Sequence, residues 1–298
     1  MDSILSIRAI SKYYGSIRAL HQVSFEVPPG SVFGVLGPNG SGKTTLLGII
    51  MDVLKAGSGT YSWFGAPPSA EQRRKIGTLL ETPNFYHYLS GERNLQIAAS
   101  IKGQNLADIP RVLELVNLTE RRHSKFSTYS LGMKQRLAIA ACLLGNPSVL
   151  VFDEPTNGLD PVGIAETREL IRDLSRQGKT IVLASHLLDE VEKVCTHVAI
   201  LQKGQLLMAG DVNEVLANED FIELGVEKGG MEKLKTLLSG LPGVKQVKNA
   251  EPHLQIFFTN DIMDLAGINR TCFEQGVVLN HLQLRKKSLE SKFMEITK

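Results

Sequence analysis

Between Gly37 and Thr45 the chain reads Gly37-Pro38-Asn39-Gly40-Ser41-Gly42-Lys43-Thr44-Thr45, interleaving glycines with hydroxyls and one ammonium. Gly37, Gly42, Lys43 and Thr44 meet the spacing of a phosphate-binding loop, G-x-x-x-x-G-K-[ST]. Glycines let successive backbone N–H groups turn inward as an anion nest, and a following helix adds the positive end of its dipole. Lys43 would bring a mobile point charge to the outer phosphates. Thr44 would offer a hydroxyl to Mg²⁺, which takes a few protein oxygens beside phosphate oxygens. The apolar run Val32 to Leu36 precedes the loop and an apolar-periodic stretch follows it, the strand and helix context that this chemistry requires. The pattern points to binding of a nucleoside triphosphate.

Three other places could turn binding into reaction. Asp153 and Glu154 close the apolar run from Val149, and the C-terminal end of a strand is where a doubly wound sheet holds ligands. There Asp153 could reach Mg²⁺ and Glu154 could orient or deprotonate an attacking water. Tyr129-Ser130-Leu131-Gly132-Met133 reads as a capped helix start: Ser130 is a natural N-cap, and Gly132 would lie among the free N–H groups of the first turn. His186 follows the apolar run Ile181 to Ser185. Taken singly, the acidic pair, the cap and the histidine each have a purely structural reading.

The elements that must carry these residues follow from periodicity. Loose alternation over Ser3 to Ile10 and clean alternation over Val23 to Val27 predict strands. Val32 to Leu36, Val149 to Asp153 and Thr180 to Ala184 predict parallel strands buried on both faces. Helix is expected over Thr44 to Leu54, over most of Ser90 to Asn146, and over Leu187 to Cys195. Beyond Asp211 the pattern changes to strand candidates at Phe221 to Val226, Val244 to Lys248, Leu254 to Thr259 and Val277 to Leu284. Helical stretches near Met231 to Leu238 and Asp261 to Glu274 lie between them.

A chain of 298 residues with 43% apolar and 21% charged residues can bury a large core. A net charge of +2 gives no reason to expect a nucleic-acid partner, and Arg285-Lys286-Lys287 reads as a solvated strand end. Cys142, Cys195 and Cys272 are odd in number and far apart, so buried or idle thiols are expected rather than disulfides or a zinc framework. Neither a secretory signal nor a transmembrane span is expected, since the longest apolar run, Leu137 to Leu144, is far short of the roughly 20 residues a bilayer needs.

Taken together, these motifs resemble the nucleotide-binding subunits of ATP-binding cassette transporters over roughly residues 3 to 215, in that family's order. Gly37 to Thr45 matches the Walker A loop, Val149 to Glu154 the Walker B strand and Tyr129 to Met133 the signature motif. Thr156-Asn157-Gly158-Leu159-Asp160 resembles the D-loop and His186 the switch histidine. Tyr14 stands where the family stacks an aromatic on adenine, although a strand-surface tyrosine is the other reading. The resemblance implies an α/β P-loop NTPase core over 1–215, with an N-terminal antiparallel β-subdomain and a helical subdomain at about 82–146. A small α+β domain would follow over 216–298.

That resemblance also implies ATP and Mg²⁺ as ligands and a head-to-tail dimer with a second copy or a related ATPase. Pro38, Asn39, Gly40, Ser41 and Thr45 would complete the phosphate cradle, and Ser130 and Gly132 would address nucleotide held by the partner's loop. Asp160 would link the two sites, and Glu154 and His186 would serve hydrolysis. A separate membrane permease would form the path, with this chain on the cytoplasmic face of the membrane. Three positions depart from the family pattern: Glu81 replaces the usual Q-loop glutamine near Mg²⁺, Leu131 replaces a signature glycine, and Met133 replaces a polar residue. With the ending Ser288-Leu289-Glu290-Ser291-Lys292-Phe293, these variants resemble the branch that exports antibiotics, lipids and polysaccharides. Phe85, Tyr86 and Tyr88 are candidates for permease contact or for the subdomain core. Import, a soluble cassette acting on ribosomes or DNA, and a ligand-binding or dimer-stabilising role for the C-terminal segment remain alternatives.

Overall fold

The alternation that begins near Ser3 runs further than its clearest part. In the computed structural model of the chain, β1 (Leu5–Tyr14) pairs antiparallel with β2 (Ile17–Val27). Next come β3 (Val32–Leu36), α1 (Lys43–Ile50) and β4 (Ser58–Trp63), the last pairing antiparallel with the other edge of β1. The structure describes residues 3–80, 84–216, 220–227, 229–259, 264–285 and 289–296. By its contacts the chain divides into two compact units, Met1–Val212 and Asn213–Lys298.

In the first unit the chain continues through α2 (Ala70–Arg74), β5 (Ile76–Leu79), α3 (Gly91–Lys102), α4 (Ile109–Leu115) and α5 (Leu131–Leu143). It returns to the sheet with β6 (Val149–Asp153), α6 (Pro161–Arg176), β7 (Thr180–Ser185), α7 (Leu188–Glu192), β8 (His197–Gln202) and β9 (Gln205–Asp211). The six-stranded sheet has the order β5-β6-β7-β3-β8-β9, parallel except for the β8–β9 hairpin. β3, β6 and β7 are buried at every residue, which is why their sequences run apolar without alternation.

Two contacts tie the three-stranded sheet to α1. Trp63 is fully buried and its indole N–H donates to the Ile50 carbonyl at 2.8 Å, so β4 holds the C-terminal end of the helix. Leu5, Ile7, Leu20 and Val23 pack in the same core as Leu46, Leu47, Ile49 and Ile50. α1 ends at Ile50 rather than continuing to Leu54. Asp52 takes a left-handed φ of 61°, and the N–H groups of Val53 and Leu54 both turn back to the Gly48 carbonyl, closing the helix end.

Between Ser90 and Asn146 the expected helix is broken into pieces. Ser90 caps α3 by accepting from the Arg93 N–H, Gly103 ends it at φ 64°, and 116–130 is mostly short turns before Ser130 caps α5. A polar clasp joins these pieces. Asp108 accepts from Arg111 Nη2 at 2.9 Å and from the Gly145 N–H at 2.9 Å, while Arg111 also donates to the Leu143 carbonyl. The start of α4 is thereby fastened to the end of α5. All three cysteines are free and buried, and burial pushes the Cys142 thiol up to about 12. Among the described residues no helix is long and apolar enough to cross a membrane.

In the second unit, after α8 (Val212–Leu216), come β10 (Phe221–Val226), α9 (Met231–Ser239), β11 (Val244–Ala250), β12 (His253–Phe258), α10 (Leu265–Glu274), β13 (Leu279–Arg285) and α11 (Leu289–Ile296). From β10 to β13 this is a β-α-β-β-α-β arrangement of the ferredoxin-like kind, with sheet order β11-β12-β10-β13 and every pair antiparallel. Ile222, Leu224, Leu254 and Ile256 from one sheet face meet Leu234 and Leu238 of α9 and Ile268 and Cys272 of α10. The first residues of the helix expected from Asp261, together with Lys286, Lys287 and Ser288, lie outside the described residues.

The Arg111 guanidinium, with help from the Gly145 N–H, holds the Asp108 carboxyl below the usual carboxylate range. A depressed folded-state pKa contributes stability that is present at neutral pH and lost as the pH falls through that lowered value. Asp108→Asn should therefore cost on the order of 1 kcal/mol at neutral pH. Chemical denaturation across a pH series should show its deficit against the wild type shrinking below the ordinary carboxylate range.

Candidate functional site

Three neighbouring strands end at one level. Leu36 of β3 pairs with Ser185 of β7, and Ala184 of β7 pairs with Asp153 of β6. The residues that follow them are therefore delivered to one place: the loop Gly37 to Thr45, then Glu154, then His186. This is the carboxyl edge of the parallel strands, where open α/β sheets bind ligands.

The loop itself is shaped by its neighbours. Gly42 is the residue before α1 and has φ 106°, a left-handed value that side chains avoid. A Cβ there would lie 2.6 Å from the Ala19 carbonyl oxygen of β2. The Gly204 N–H, in the turn between β8 and β9, donates to the Ser41 carbonyl at 3.1 Å, while Gly204 accepts from the His21 N–H of β2 at 2.7 Å. Two distant hairpins thus brace the cradle formed by Gly37, Pro38, Asn39, Gly40 and Ser41.

Lys43 begins α1 and is only 5% exposed. Its ammonium donates to the Gly37 carbonyl at 2.8 Å and the Pro38 carbonyl at 3.3 Å, and lies 3.4 Å from Glu154 Oε1. The other carboxylate oxygen, Oε2, is joined by a hydrogen bond of 2.8 Å to His186 Nδ1. Glu154 thus bridges lysine and histidine. Its own φ of 48° is unusual for a side-chain-bearing residue, and its N–H continues the sheet by donating to the Ala184 carbonyl at 3.0 Å. The turn just after the strand aims the carboxylate back across the strand ends.

Thr44, Asp153 and Glu154 line a cavity of about 520 Å³ that also meets Phe85, Phe126, Lys134 and Gln135. A threonine hydroxyl and a carboxylate are hard oxygen donors suited to Mg²⁺, so the residues present fit that ion. The cradle likewise fits an anion: Ser41 Oγ is buried without a hydrogen-bond partner among the described residues, and Lys43 is held only by carbonyls and a carboxylate that a phosphate could outcompete.

The remaining candidates are placed as follows. Ser130 caps α5, accepting from the Met133 N–H at 3.2 Å, and Gly132 lies in the first turn, where a Cβ would meet nothing among the described residues within 4 Å. Asp160 caps α6 by accepting from the Gly163 N–H at 2.8 Å, with Pro161 at the first helical position. Tyr14 is 45% exposed at the end of β1, with the Lys12 ammonium 5.2 Å from its ring centroid. Thr45 follows Thr44 on α1. Glu81 lies outside the described residues. Phe126, Lys134 and Gln135 were not legible as site residues, because nothing in their spacing announces that the turn at Phe126–Thr128 and the start of α5 would lie beside the end of β6.

The sequence matches the family model for the ABC transporter over residues 20–157. It is 36% identical to an uncharacterized ABC transporter ATP-binding protein, YhcH of Bacillus subtilis (strain 168), across 100% of this chain and 97% of that protein. The chain belongs to the ABC transporter family. The bacitracin transport ATP-binding protein BcrA of Enterococcus faecalis is 31% identical to this ABC ATPase, with 99% and 97% of the two chains covered. Among solved structures, the ADP conformation of MJ1267, an ATP-binding cassette of an ABC transporter, superposes with a TM-score of 0.66 at 26% identity. It covers 72% of this chain and 93% of the other.

The fold is that of an ABC ATPase cassette, and the chain is an ATP-binding, ATP-hydrolysing subunit. One departure from the ABC pattern has a structural consequence: Leu131, half exposed at the start of α5, reaches toward the D-loop, where a Cβ on Gly158 would lie 3.3 Å from Leu131 Cδ2. In this ABC ATPase Gly42→Ala should be destabilised by roughly 1–3 kcal/mol through strain and collision with Ala19. Titration with a fluorescent ATP analogue should show weakened binding; wild-type affinity and denaturation midpoint would contradict the account of the loop.

Proposed function

We propose that this chain drives export through a separate membrane permease, pairing head to tail with a second copy or a related ATPase and working from the cytoplasmic face of the membrane. The observation that carries the transport reading is the nearly end-to-end match to a bacitracin transport ATP-binding protein, which extends through the second unit. The cargo would be chosen by the permease.

The geometry of the described residues supports the following roles. Lys43 turns from the Gly37 and Pro38 carbonyls and from Glu154 toward the phosphates of ATP, a stronger anionic partner. Glu154 Oε1 is thereby released to orient or deprotonate water, while His186, held through Nδ1, presents its other ring nitrogen toward the γ-phosphate. Thr44 and Asp153 would hold Mg²⁺, with Glu81 a further candidate ligand by its place in the sequence, and the ion would supply neutralisation of charge on the phosphate oxygens. Tyr14 offers its ring face to adenine. Ser130 and Gly132 address the nucleotide of the opposing subunit. Gly132 supports this reading because nothing among the described residues requires a glycine there, although alanine would favour the helix by about 1 kcal/mol. Asp160, whose carboxylate caps α6, keeps the D-loop in place between the two sites.

With Glu154→Gln the water-activating carboxylate is lost while the phosphate cradle is kept. ATP turnover should fall by a factor of about 100 or more, and size-exclusion chromatography with saturating ATP should trap a dimer. A variant that stays monomeric would count against the composite site.

Phe85 is committed to the subdomain, its ring 5.2 Å from Phe126. Tyr86 and Tyr88 are 50% and 70% exposed and meet edge to face at 5.9 Å, an amphipathic pair suited to an interface. Tyr86→Ala and Tyr88→Ala should reduce co-purification with the permease several-fold while leaving ATP affinity within twofold. Undiminished co-purification would move the permease contact elsewhere.

A further inference from the structure

A cluster in the second unit has no part in nucleotide chemistry. Glu223 lies on β10, His253 on β12 and His281 on β13, three adjacent strands. The register brings them together. Gly225 pairs with His281, and Leu224 pairs with both Leu254 and Leu282, so His253 falls opposite Gly225 on the other side. Leu224, Leu254 and Leu282 pack in the apolar core. The period of two along a strand therefore turns Glu223, Gly225, His253 and His281 to the opposite face.

The two imidazoles stack above Gly225 with centroids 4.1 Å apart and planes 20° apart. A Cβ on Gly225 would lie 2.7 Å from His253 Cδ2 and 3.1 Å from His281 Cβ, so this arrangement needs the missing side chain. One nitrogen from each histidine and an oxygen of Glu223 all lie within 4.8 Å of one another. His281 Nε2 is shut off from solvent without a hydrogen-bond partner among the described residues, and it faces Glu223 Oε2 at 3.7 Å. Such an orphaned nitrogen beside a carboxylate and a second imidazole is a donor set for zinc and similar divalent ions.

Two features oppose a cation. Arg285 Nε donates to Glu223 Oε2 at 2.9 Å and Gln255 donates to Oε1 at 3.2 Å. Arg285 is half exposed, so it can swing into water when an ion takes its place. Tetrahedral coordination needs donors roughly 3.4 Å apart, so binding would draw the three donor atoms together by side-chain rotation from their present separations of up to 4.8 Å.

We propose that Glu223, His253 and His281 bind a divalent transition-metal cation of the zinc class, clamping β12, β10 and β13 across the polar face of the second unit. The test uses the full chain, freed of metal by chelation and without nucleotide. It is titrated with Co²⁺, followed by its visible d–d absorption, and then with Zn²⁺ in competition. Expected are one equivalent of Co²⁺ displaced by Zn²⁺, affinity lowered about tenfold or more in His253→Ala and in His281→Ala, and tighter binding in Arg285→Gln, which releases Glu223. Gly225→Ala keeps all three donors but displaces the rings, and it should also weaken binding. Variants whose circular dichroism and ATP affinity match the wild type report on the site itself. Cobalt binding of undiminished strength in the folded histidine variants, or none at micromolar metal, would overturn the proposal.

Discussion

A single carboxylate links the ends of three parallel strands. Glu154 sits where β6 has just ended, with one oxygen against the Lys43 ammonium and the other bonded to His186. That bridge exists because β6, β7 and β3 are adjacent, parallel and in step at their carboxyl ends. Slipping any one of them by a residue would send every side chain to the opposite face, into packing shaped for its neighbour, so close packing on both sides of the sheet enforces the alignment. The core thus fixes polar geometry: where the strands stop decides which groups can touch.

The glycine-rich loop Gly37 to Thr45 depends on the same constraint from the other side. Its backbone is braced by the Gly204 N–H and confined by the Ala19 carbonyl, both from hairpins that rest on the shared core of α1, β1, β2 and β9. A loop made only of glycines and short polar residues would be mobile. Here its flexibility is spent on curvature and its position is imposed by neighbours. The bridge between Lys43 and Glu154 also keeps two charges satisfied in a buried setting, where an unpaired ion would be costly.

The second unit shows how a sheet with one covered face leaves the other available for polar chemistry. Leucine and isoleucine at alternate positions of β10 and β12, with Leu282 of β13, pack in one core with α9 and α10, and the intervening positions carry Glu223, Gln255, His253 and His281. On that face Arg285 and Gln255 saturate Glu223, the Lys248 ammonium lies over the Phe257 ring, and the paired histidines occupy the space that Gly225 leaves. Such a surface can change ligand without disturbing the core beneath it.

Much of this was readable from residue order. The glycine spacing with Lys43 and Thr44, the buried runs before Gly37 and through Asp153, and the cap at Ser130 are local signals, and local signals survive in a linear string. Other local signals went unread: Asp160-Pro161 is a cap followed by a preferred first helical residue and opens α6, and Lys203-Gly204, both with positive φ, turns β8 into β9. What no string contains is proximity between distant positions. That Glu154 would meet Lys43, that Leu131 would lean toward Gly158, and that His253 and His281 would stack over Gly225 were decided by strand order and register. Those are set by how apolar faces pack across the whole fold, so only the tertiary structure could bring these groups within bonding distance.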